Sequence, residues 1–386
     1  MTAVDLIAAI GLVAWIYLLL LNGGFWLTSE REEFERGKFA GPGAWPRVTA
    51  VIPARNEADM LPLSLTSLVA QDYPGEFSIV LVDDQSTDGT AEIARKIAAG
   101  STREVSIIEG APLPAAWTGK VWAMHQGIAA ATSSKAPDYL LLTDADIGYT
   151  PEMLTSLVTS SRANGRAMTS VMAKLKCESW AERALVPAFI FFFQMLYPFR
   201  WVNSETASTA AAAGGCMLVE RTALERAGGI AAIRGALIDD CALGKLLKKQ
   251  GPIWLGLSHG VTSLRVYPAF DDIRRMVARS AYAQLHYSPV LLLGTVVGMG
   301  LIYLAPLAFA MFSNYPANVI GAATYALMVI AFQPTLRFYN RSPLWGLALP
   351  VIATAYVGFT LDSAYQHMRG RGGLWKGRVQ AEVGRQ

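Results

Sequence analysis

Charged residues and cysteines are scarce in this 386-residue chain, and each shortage excludes a class of protein. Only 16% of the residues are charged, against about 25% in average soluble domains, so membrane segments are the first feature to look for. The net charge of +3, with no long basic run, argues against a nucleic-acid partner. The three cysteines, Cys177, Cys216 and Cys241, contain no CxxC pair. This argues against a disulfide framework or a zinc site and fits a reducing compartment.

Long apolar runs are present instead, and the first occupies residues 6–21 without a charge. Extended through residues 23–26, it reaches the ~20 residues that a membrane helix needs. A signal peptide is the alternative, but no Lys or Arg precedes the run and no small-residue cleavage site follows it. Arg31, Arg36 and Lys38 come after the run, and the positive-inside rule then places the following residues in the cytoplasm.

Three further apolar segments lie at residues 289–312, 317–332 and 344–361, and a basic tail closes the sequence. If the N-terminus is outside and all three segments cross the membrane, the tail ends outside. Its five Lys and Arg residues from Arg369 onward favour the inside. The Pro-bounded segment 317–332 is the candidate for an incomplete crossing, and the sequence leaves this open.

One shorter apolar segment, residues 185–199, is bracketed by Pro187 and Pro198. A further membrane crossing is one interpretation. We favour an amphipathic helix lying on the membrane face, because ~10–14 apolar residues do not comfortably span a bilayer.

Between residues 47 and 267 the sequence alternates short β-branched or apolar runs with helix-like stretches. The runs are at residues 48–54, 77–84 and 138–146, and helices are expected near 61–70 and 90–99. This βαβ rhythm predicts an α/β fold with a mostly parallel sheet, in which ligands bind at the carboxyl ends of the strands.

Two carboxylates, Asp144 and Asp146, follow the third of these runs. Residues i and i+2 of an extended backbone point the same way, so the pair is expected to face one point. Carboxylate oxygens are the hard ligands that Mg²⁺ or Mn²⁺ prefers. Alone, the DAD sequence is more typical of a solvated turn.

The stretch VDDQSTDGT after the second run has a similar double interpretation. It reads as a turn in which Thr87 or Asp88 caps the next helix. The order of the motifs favours a binding edge, because three polar strand ends occur in one βαβ array with Gly119 and Lys120 between the second and third.

Taken in order, VIPARNE, VDDQSTDGT, WTGKVWAMHQG and LLTDADI resemble glycosyltransferase family 2, which has the GT-A fold. Downstream, GGCMLVERTALERAGG (214–229) is similar to the acceptor-side segment of that family, and LIDDCALGKLLKKQG (237–251) to its acidic pair followed by a Leu-rich helix. The layout, with apolar segments on both sides and a WKGR tail, looks most like the hopanoid-biosynthesis-associated membrane enzymes. Carotenoid and ceramide glycosyltransferases share it.

The resemblance implies a role for residues on the donor side. Asp84 corresponds to the acid that reads the uracil of a UDP-sugar, and Asp144 and Asp146 to a metal-holding DxD in which Asp144 also touches the nucleotide sugar. The implied cofactor is Mg²⁺ or Mn²⁺. The other implied nucleotide-sugar contacts are Pro53, Glu57, Lys120 and Arg279.

On the acceptor side the resemblance makes Asp240 the catalytic base. The implied acceptor-side residues are Gly215, Cys216, Asp239, Trp375, Lys376 and Arg378. Alternatives stay open: the acids at 239 and 240 fit the N-terminus of a helix, where the helix dipole favours negative charge, and the tail fits a headgroup contact.

The sequence departs from the family at residues 274–285, where processive relatives carry Q/RxxRW. Met276 stands in place of Gln or Arg, and Ser280 in place of Trp. A single sugar transfer is therefore expected rather than polymer synthesis. Arg279 fits a diphosphate contact and a membrane-surface anchor equally well.

The resulting hypothesis is a multi-pass membrane protein with a cytoplasmic catalytic domain. It would be an inverting glycosyltransferase moving one sugar from a nucleotide diphosphate, UDP first, to a lipid alcohol such as a hopanoid. Transfer to a polyprenyl phosphate and a non-catalytic nucleotide-binding membrane protein are the rivals. The expected regions are an anchor (1–28), a GT-A domain (46–285) with an interface helix (185–200), a membrane region (288–366) and a basic tail (367–386).

Overall fold

The computed structural model describes residues 2–36, 41, 43–133, 135–371, 373–375 and 378–379, without the side chains of Phe34 and residues 374–379. Two compact units make up the chain. One, here called the helical unit, comprises Met1–Ser29, Cys177–Arg200 and Tyr267–Gly373. The other, here called the sheet unit, comprises Glu30–Lys176, Trp201–Val266 and Leu374–Gln386.

Helices and strands alternate through the sheet unit, whereas long helices dominate the helical unit. The helices are α1 (Ala3–Leu21), α2 (Glu32–Glu35), α3 (Leu61–Val69), α4 (Thr90–Ala99), α5 (Gly119–Thr132), α6 (Met153–Ala163), α7 (Trp180–Leu196), α8 (Phe199–Val202), α9 (Arg221–Arg226), α10 (Asp239–Leu247), α11 (Phe270–Ala278), α12 (Ala281–Gln284), α13 (Pro289–Met299), α14 (Ala305–Phe312), α15 (Ala317–Phe338) and α16 (Leu349–Met368). The strands are β1 (Val48–Ala54), β2 (Phe77–Asp83), β3 (Glu104–Glu109), β4 (Tyr139–Thr143), β5 (Ile147–Tyr149), β6 (Met168–Lys174), β7 (Cys216–Glu220), β8 (Ile253–Ser263), β9 (Leu374–Trp375) and β10 (Arg378–Val379). A π-helical turn, Gly300–Leu304, joins α13 to α14, and 3₁₀ turns occur at Phe25–Leu27, Ile230–Ile233 and Pro343–Ala348.

One eight-stranded sheet organises the sheet unit, in the order β3-β2-β1-β4-β7-β6-β8-β5. The strands β3, β2, β1 and β4 run parallel, and β6 and β8 are parallel to each other. β7 runs antiparallel to β4 and β6, and β5 antiparallel to β8. The predicted α/β fold with a mostly parallel sheet is confirmed, although the antiparallel β5 and β7 were not anticipated.

Burial on both faces explains why the central strands were readable in the sequence. All seven residues of β1 are buried, as parallel strands covered by helices on both faces require. α5 lies so close to this sheet that a Cβ at Gly127 would fall 2.5 Å from Val51 Cγ1. Glycine at this position allows the close packing of α5 against the sheet.

Within the described residues, four helical stretches are long and apolar enough to cross a membrane, judged by length and composition alone. They are Ala3–Leu21, Pro289–Phe312, Ala317–Phe338 and Pro343–Met368. The four apolar runs of the sequence correspond to these helices. Within the helical unit, the Trp15 indole packs edge-on against Tyr303 at 5.6 Å and donates to the Ile302 carbonyl at 2.6 Å.

The segment predicted to lie on the membrane face forms part of α7. Pro187 stands inside this helix. Phe191 packs against Phe332 of α15 at 5.2 Å, and Phe192 packs against Tyr356 of α16 at 5.0 Å. α7 therefore contributes to the interior of the helical unit, and its position at a membrane surface stays a prediction.

Candidate active site

The carboxyl ends of β1, β2 and β4 lie along one edge of the sheet. Ala54 pairs with Asp83 across β1 and β2, and Thr143 pairs with Cys216 across β4 and β7. Because β7 is antiparallel, it begins at the edge where the parallel strands end. The polar residues after β2 and β4 therefore share one edge with the segment before β7.

Lys120, in the first turn of α5, connects two acidic groups at this edge. Its Nζ lies 2.8 Å from Asp144 Oδ1 and 3.3 Å from Asp239 Oδ2. The Thr118 N–H donates to the Arg234 carbonyl at 2.8 Å, which ties the start of α5 to the loop leading to Asp239. Burial alone would lower the pKa of Lys120, but the charges of Asp144 and Asp239 outweigh it and raise the pKa. The lysine is therefore cationic and holds the two carboxylates together.

Asp240 lies beside this cluster in the first turn of α10. Its Oδ2 accepts a hydrogen bond from the Gly214 N–H at 3.0 Å, and its Oδ1 accepts one from the Cys241 N–H at 2.7 Å. Burial, reinforced by the negative charge of Asp239, raises the pKa of Asp240 to about 6. A carboxyl group with this pKa is largely deprotonated at neutral pH and is still basic enough to accept a proton.

The N-terminus of α10 also fits the structural alternative for this acidic pair. Asp239 and Asp240 are the first two residues of the helix, where the helix dipole favours carboxylates. That stabilisation and a chemical role are compatible, because the dipole favours the charged form of both carboxylates.

Gly244 allows α10 to approach the residues before β7, and we expect its replacement to disturb the site. A Cβ at this position would lie 2.9 Å from the Ala211 carbonyl carbon and 3.0 Å from its oxygen, both backbone atoms. Gly244→Ala should cost about 1–3 kcal/mol of stability by overpacking and should reduce Asp240-dependent turnover. Thermal unfolding and a turnover assay measure these effects. Gly251→Ala is the matched control because its Cβ would meet Ala167 at an ordinary 3.5 Å; equal behaviour of the two variants would contradict the prediction.

Asp146 contacts a different cation, Arg265, which follows β8. The Nε of Arg265 donates to Asp146 Oδ2 at 2.8 Å, and its Nη2 donates to both carboxylate oxygens of Glu57 at 2.9 Å. Arg265 was not identified from the sequence. The only signal available there was a cationic residue just after a strand-like run, and 208 positions separate Arg265 from Glu57.

The expectation that Asp144 and Asp146 share an extended backbone was wrong. β4 ends at Thr143, and residues 144–146 lead through a turn into β5. The two carboxylates consequently reach different cations. Beneath the turn, the Tyr149 hydroxyl donates to Thr143 Oγ1 at 2.7 Å, and Thr143 Oγ1 lies 2.9 Å from the Gly215 carbonyl that accepts its hydrogen bond. This buried connection fixes the turn to the segment before β7.

Two residues predicted to contact the nucleotide, Asp84 and Pro53, are buried. Asp84 is fully buried, and one of its carboxylate oxygens lies 3.8 Å from Arg55 Nη1. Its predicted contact with a uracil stays untested. Pro53 lies within β1, paired with Val82 of β2. Asp88 accepts from the N–H groups of Thr90 and Ala58 near the start of α4, but the N-cap of that helix is Gly89 and not the predicted Thr87 or Asp88.

Two carboxylates at this edge are candidates to hold a divalent cation, and each already has a cationic partner. Among the described residues, no group of three or more His, Cys, Asp or Glu side chains is placed to hold a metal ion. Mg²⁺ commonly binds through one or two carboxylates, with substrate phosphates and water supplying the rest. Asp144 and Asp146 provide two such carboxylates, with 34% and 16% of their side chains exposed, so they suit an ion that arrives with a diphosphate.

The remaining predicted residues are dispersed. Cys216 is fully buried in the core of the sheet unit, so only its backbone is available on the acceptor side. Arg279 is the C-cap of α11 in the helical unit, and its contact with a donor stays a prediction. Lys376, together with the side chains of Trp375 and Arg378, lies outside the described residues.

Residues 49–228 match the sequence profile described as "Glycosyl transferase family 2". Two similar curated proteins are an undecaprenyl-phosphate 4-deoxy-4-formamido-L-arabinose transferase of Aeromonas hydrophila, 28% identical over 135 residues, and a 4,4'-diaponeurosporenoate glycosyltransferase of Staphylococcus haemolyticus, 34% identical over 116 residues. The matches cover 34% and 30% of this chain, and only 39% and 28% of the two relatives.

Among solved structures, the mannosyltransferase PcManGT of Pyrobaculum calidifontis, determined with GDP-mannose and Mn²⁺, is similar over most of its length. The TM-score is 0.55 with 18% identity, and the match covers 95% of this chain and 99% of that one. At this identity the likeness establishes the fold, which is GT-A.

Proposed function

We propose that this chain, whose residues 49–228 match the glycosyl transferase family 2 profile, is an inverting glycosyltransferase that moves one sugar from a nucleotide diphosphate to a lipid alcohol. One observation carries the proposal: Lys120 holds Asp144 of the donor edge and Asp239 of the acceptor segment on one ammonium group, next to Asp240. A carboxylate proposed for the donor side and one proposed for the acceptor side thus contact the same ammonium group.

Asp240 is the group that removes the acceptor proton. An alcohol is too weakly acidic to ionise at neutral pH, so a base within hydrogen-bond reach must take its proton as the new C–O bond forms. In the proposed step the alcohol oxygen attacks the anomeric carbon, the sugar–phosphate bond breaks, and the nucleotide diphosphate leaves with the bonding electrons. Attack opposite the leaving group inverts the anomeric centre.

Asp144 and Asp146 would hold a divalent cation on the donor side. When bound, such a cation neutralises the negative charge that grows on the departing diphosphate. Lys120 would add a fixed positive charge at the same edge, and preorganised charges of this kind supply much of the catalysis in many enzymes. UDP is the donor nucleotide we propose, from the similarity of Asp84 to the family's uracil-reading acid.

A lipid acceptor is proposed from two observations. The part of the chain that the structure describes has four helices long and apolar enough to cross a membrane, and the matched relatives are named for undecaprenyl phosphate and diaponeurosporenoate. A hopanoid is the first acceptor to try, on the resemblance of the sequence layout alone. We propose a cytoplasmic location for the sheet unit, because basic residues follow α1 and the positive-inside rule favours that side.

Transfer to a polyprenyl phosphate is the second candidate, favoured by the match to the undecaprenyl-phosphate enzyme. A phosphate acceptor is already ionised at neutral pH and needs no general base. The two candidates therefore differ in how strongly they depend on Asp240.

The pH profile provides a test of the base. Asp240 works only when deprotonated, and its pKa is raised to about 6. With an alcohol acceptor, kcat/KM should therefore be level above that pH and fall about tenfold per unit below it. Measurement between pH 5 and 8 checks this, with UDP binding followed over the same range as the control. A flat profile would contradict the role of Asp240 as base.

The substrates are best identified by a screen. Purified full-length protein, Mn²⁺ and a bacterial membrane lipid extract would be incubated with a panel of nucleotide sugars, and new glycolipids detected by mass spectrometry. A lipid alcohol gaining one hexose supports the proposal. Sugar attached only to polyprenyl phosphate supports the second candidate. Absence of transfer from every donor would contradict both.

A further inference from the structure

Arg265 occupies the position between two carboxylates that the donor edge presents. Its guanidinium donates through Nε to Asp146 and through Nη2 to both oxygens of Glu57, at 2.8 and 2.9 Å. The arginine is half-buried, with 32% of its side chain exposed, and only 10% of the Glu57 side chain is exposed. Because a guanidinium does not lose its proton in proteins, this positive charge is permanent.

The backbone places Arg265 beside Asp146. β5 and β8 pair with Ile147 opposite Ser263, and the Leu264 N–H donates to the Asp146 carbonyl at 2.8 Å. Arg265 is the next residue after Leu264, so this backbone hydrogen bond places it beside Asp146. A side chain held by two strands and two charge-assisted hydrogen-bonded partners is a built part of the site.

We propose that Arg265 is a resident counter-cation, which neutralises Asp146 through their ion pair until nucleotide binds. As a result, a divalent cation and a nucleotide diphosphate bind to this protein cooperatively. The inference rests on the proposed donor site. An ion bound to Asp146 would lie close to the guanidinium, and the two positive charges repel each other. A diphosphate adds negative charge to the same place, and arginine matches phosphate oxygens with the geometry that it uses for carboxylates.

Thermodynamic linkage makes this measurable without turnover. If the diphosphate relieves the repulsion, it must tighten Mn²⁺ binding by the factor by which Mn²⁺ tightens nucleotide binding. Replacing Arg265 by an uncharged side chain removes the repulsion in the absence of nucleotide. Arg265→Met should therefore bind Mn²⁺ alone more tightly than wild type does, although a simple supporting residue for Asp146 would give the opposite change.

The experiment measures Mn²⁺ binding to the full chain in detergent by electron paramagnetic resonance, with and without UDP. We expect Arg265→Met to bind Mn²⁺ alone about fivefold or more tightly, near the lower end of typical coupling factors, and to show a smaller enhancement by UDP. Arg226→Met is the matched control, because this exposed arginine of α9 pairs with Glu220 at the opposite end of β7. Its Mn²⁺ affinity should stay at the wild-type value.

Two further variants separate the inference from the proposed function. Asp146→Asn should lose Mn²⁺ binding; if it does not, the metal site is wrong and the inference fails with it. If Asp146→Asn loses Mn²⁺ and Arg265→Met binds it equally or more weakly than wild type, the inference alone is wrong. If Arg265→Met folds poorly, the double variant Glu57→Gln/Arg265→Met replaces it, because it also removes the negative charge of Glu57 that Arg265 had neutralised. The inference requires this double variant to bind Mn²⁺ more tightly than wild type as well.

Discussion

Asp240→Asn is expected to lower turnover with a lipid alcohol by about 10²–10⁴-fold, the usual contribution of general base catalysis. Asparagine has nearly the shape of aspartate, and its oxygen can still accept a hydrogen bond from Gly214 or Cys241. It cannot accept the acceptor's proton at neutral pH. The loss should appear in kcat, with UDP-sugar affinity close to the wild-type value, and initial rates together with calorimetric UDP binding would show both.

Asp239→Asn is the matched variant for this test. It removes the same charge one residue earlier, beside the same lysine, but not the proposed base. Its loss of turnover should be much smaller. Equal losses would mean that the negative charges of the acidic pair matter because they hold Lys120 in place, and not because Asp240 accepts a proton. Substantial residual turnover of Asp240→Asn with a polyprenyl phosphate, but not with an alcohol, would identify the second candidate.

The strands that build the site were readable because they are buried on both faces. Residues 48–54 form a run of β-branched or apolar residues without a charge, and β1 has those bounds. β3 (Glu104–Glu109) was missed because it is a half-exposed edge strand with charged residues at both ends. A pattern of this kind lacks the apolar run that marks a buried strand.

The sequence predicted which charged residues lie at the site better than it predicted which of them form ion pairs. The sequence places Asp144, Asp146 and Asp240 at strand and helix ends, and all three lie at the sheet edge. Lys120 was expected near the nucleotide, but its position between Asp144 and Asp239 depends on the approach of α5 and α10. Such contacts depend on the packing of distant segments, which local periodicity does not specify.

The turn at residues 144–146 has a mechanistic consequence. An extended DxD would direct both carboxylates to one ion, whereas here each has its own cationic partner in the sheet unit. Replacing Asp144 and replacing Asp146 are therefore expected to have different effects on activity and binding. Asp146 would affect the metal, and Asp144 would affect both the metal and the position of Lys120 relative to the donor.

Asp146→Ala is accordingly expected to reduce kcat by at least about 10²–10³-fold, as loss of a principal electrostatic stabiliser does, and to abolish the response to added Mn²⁺. Asp144→Ala should in addition weaken nucleotide-sugar binding, because Lys120 loses its 2.8 Å partner. Metal titrations of turnover and UDP-sugar binding isotherms would distinguish the two variants. Asp138→Ala is the control: this exposed acid precedes β4, at the end of the strand opposite Asp144. Normal Mn²⁺-dependent turnover of Asp146→Ala would leave the DAD sequence as an ordinary turn between β4 and β5.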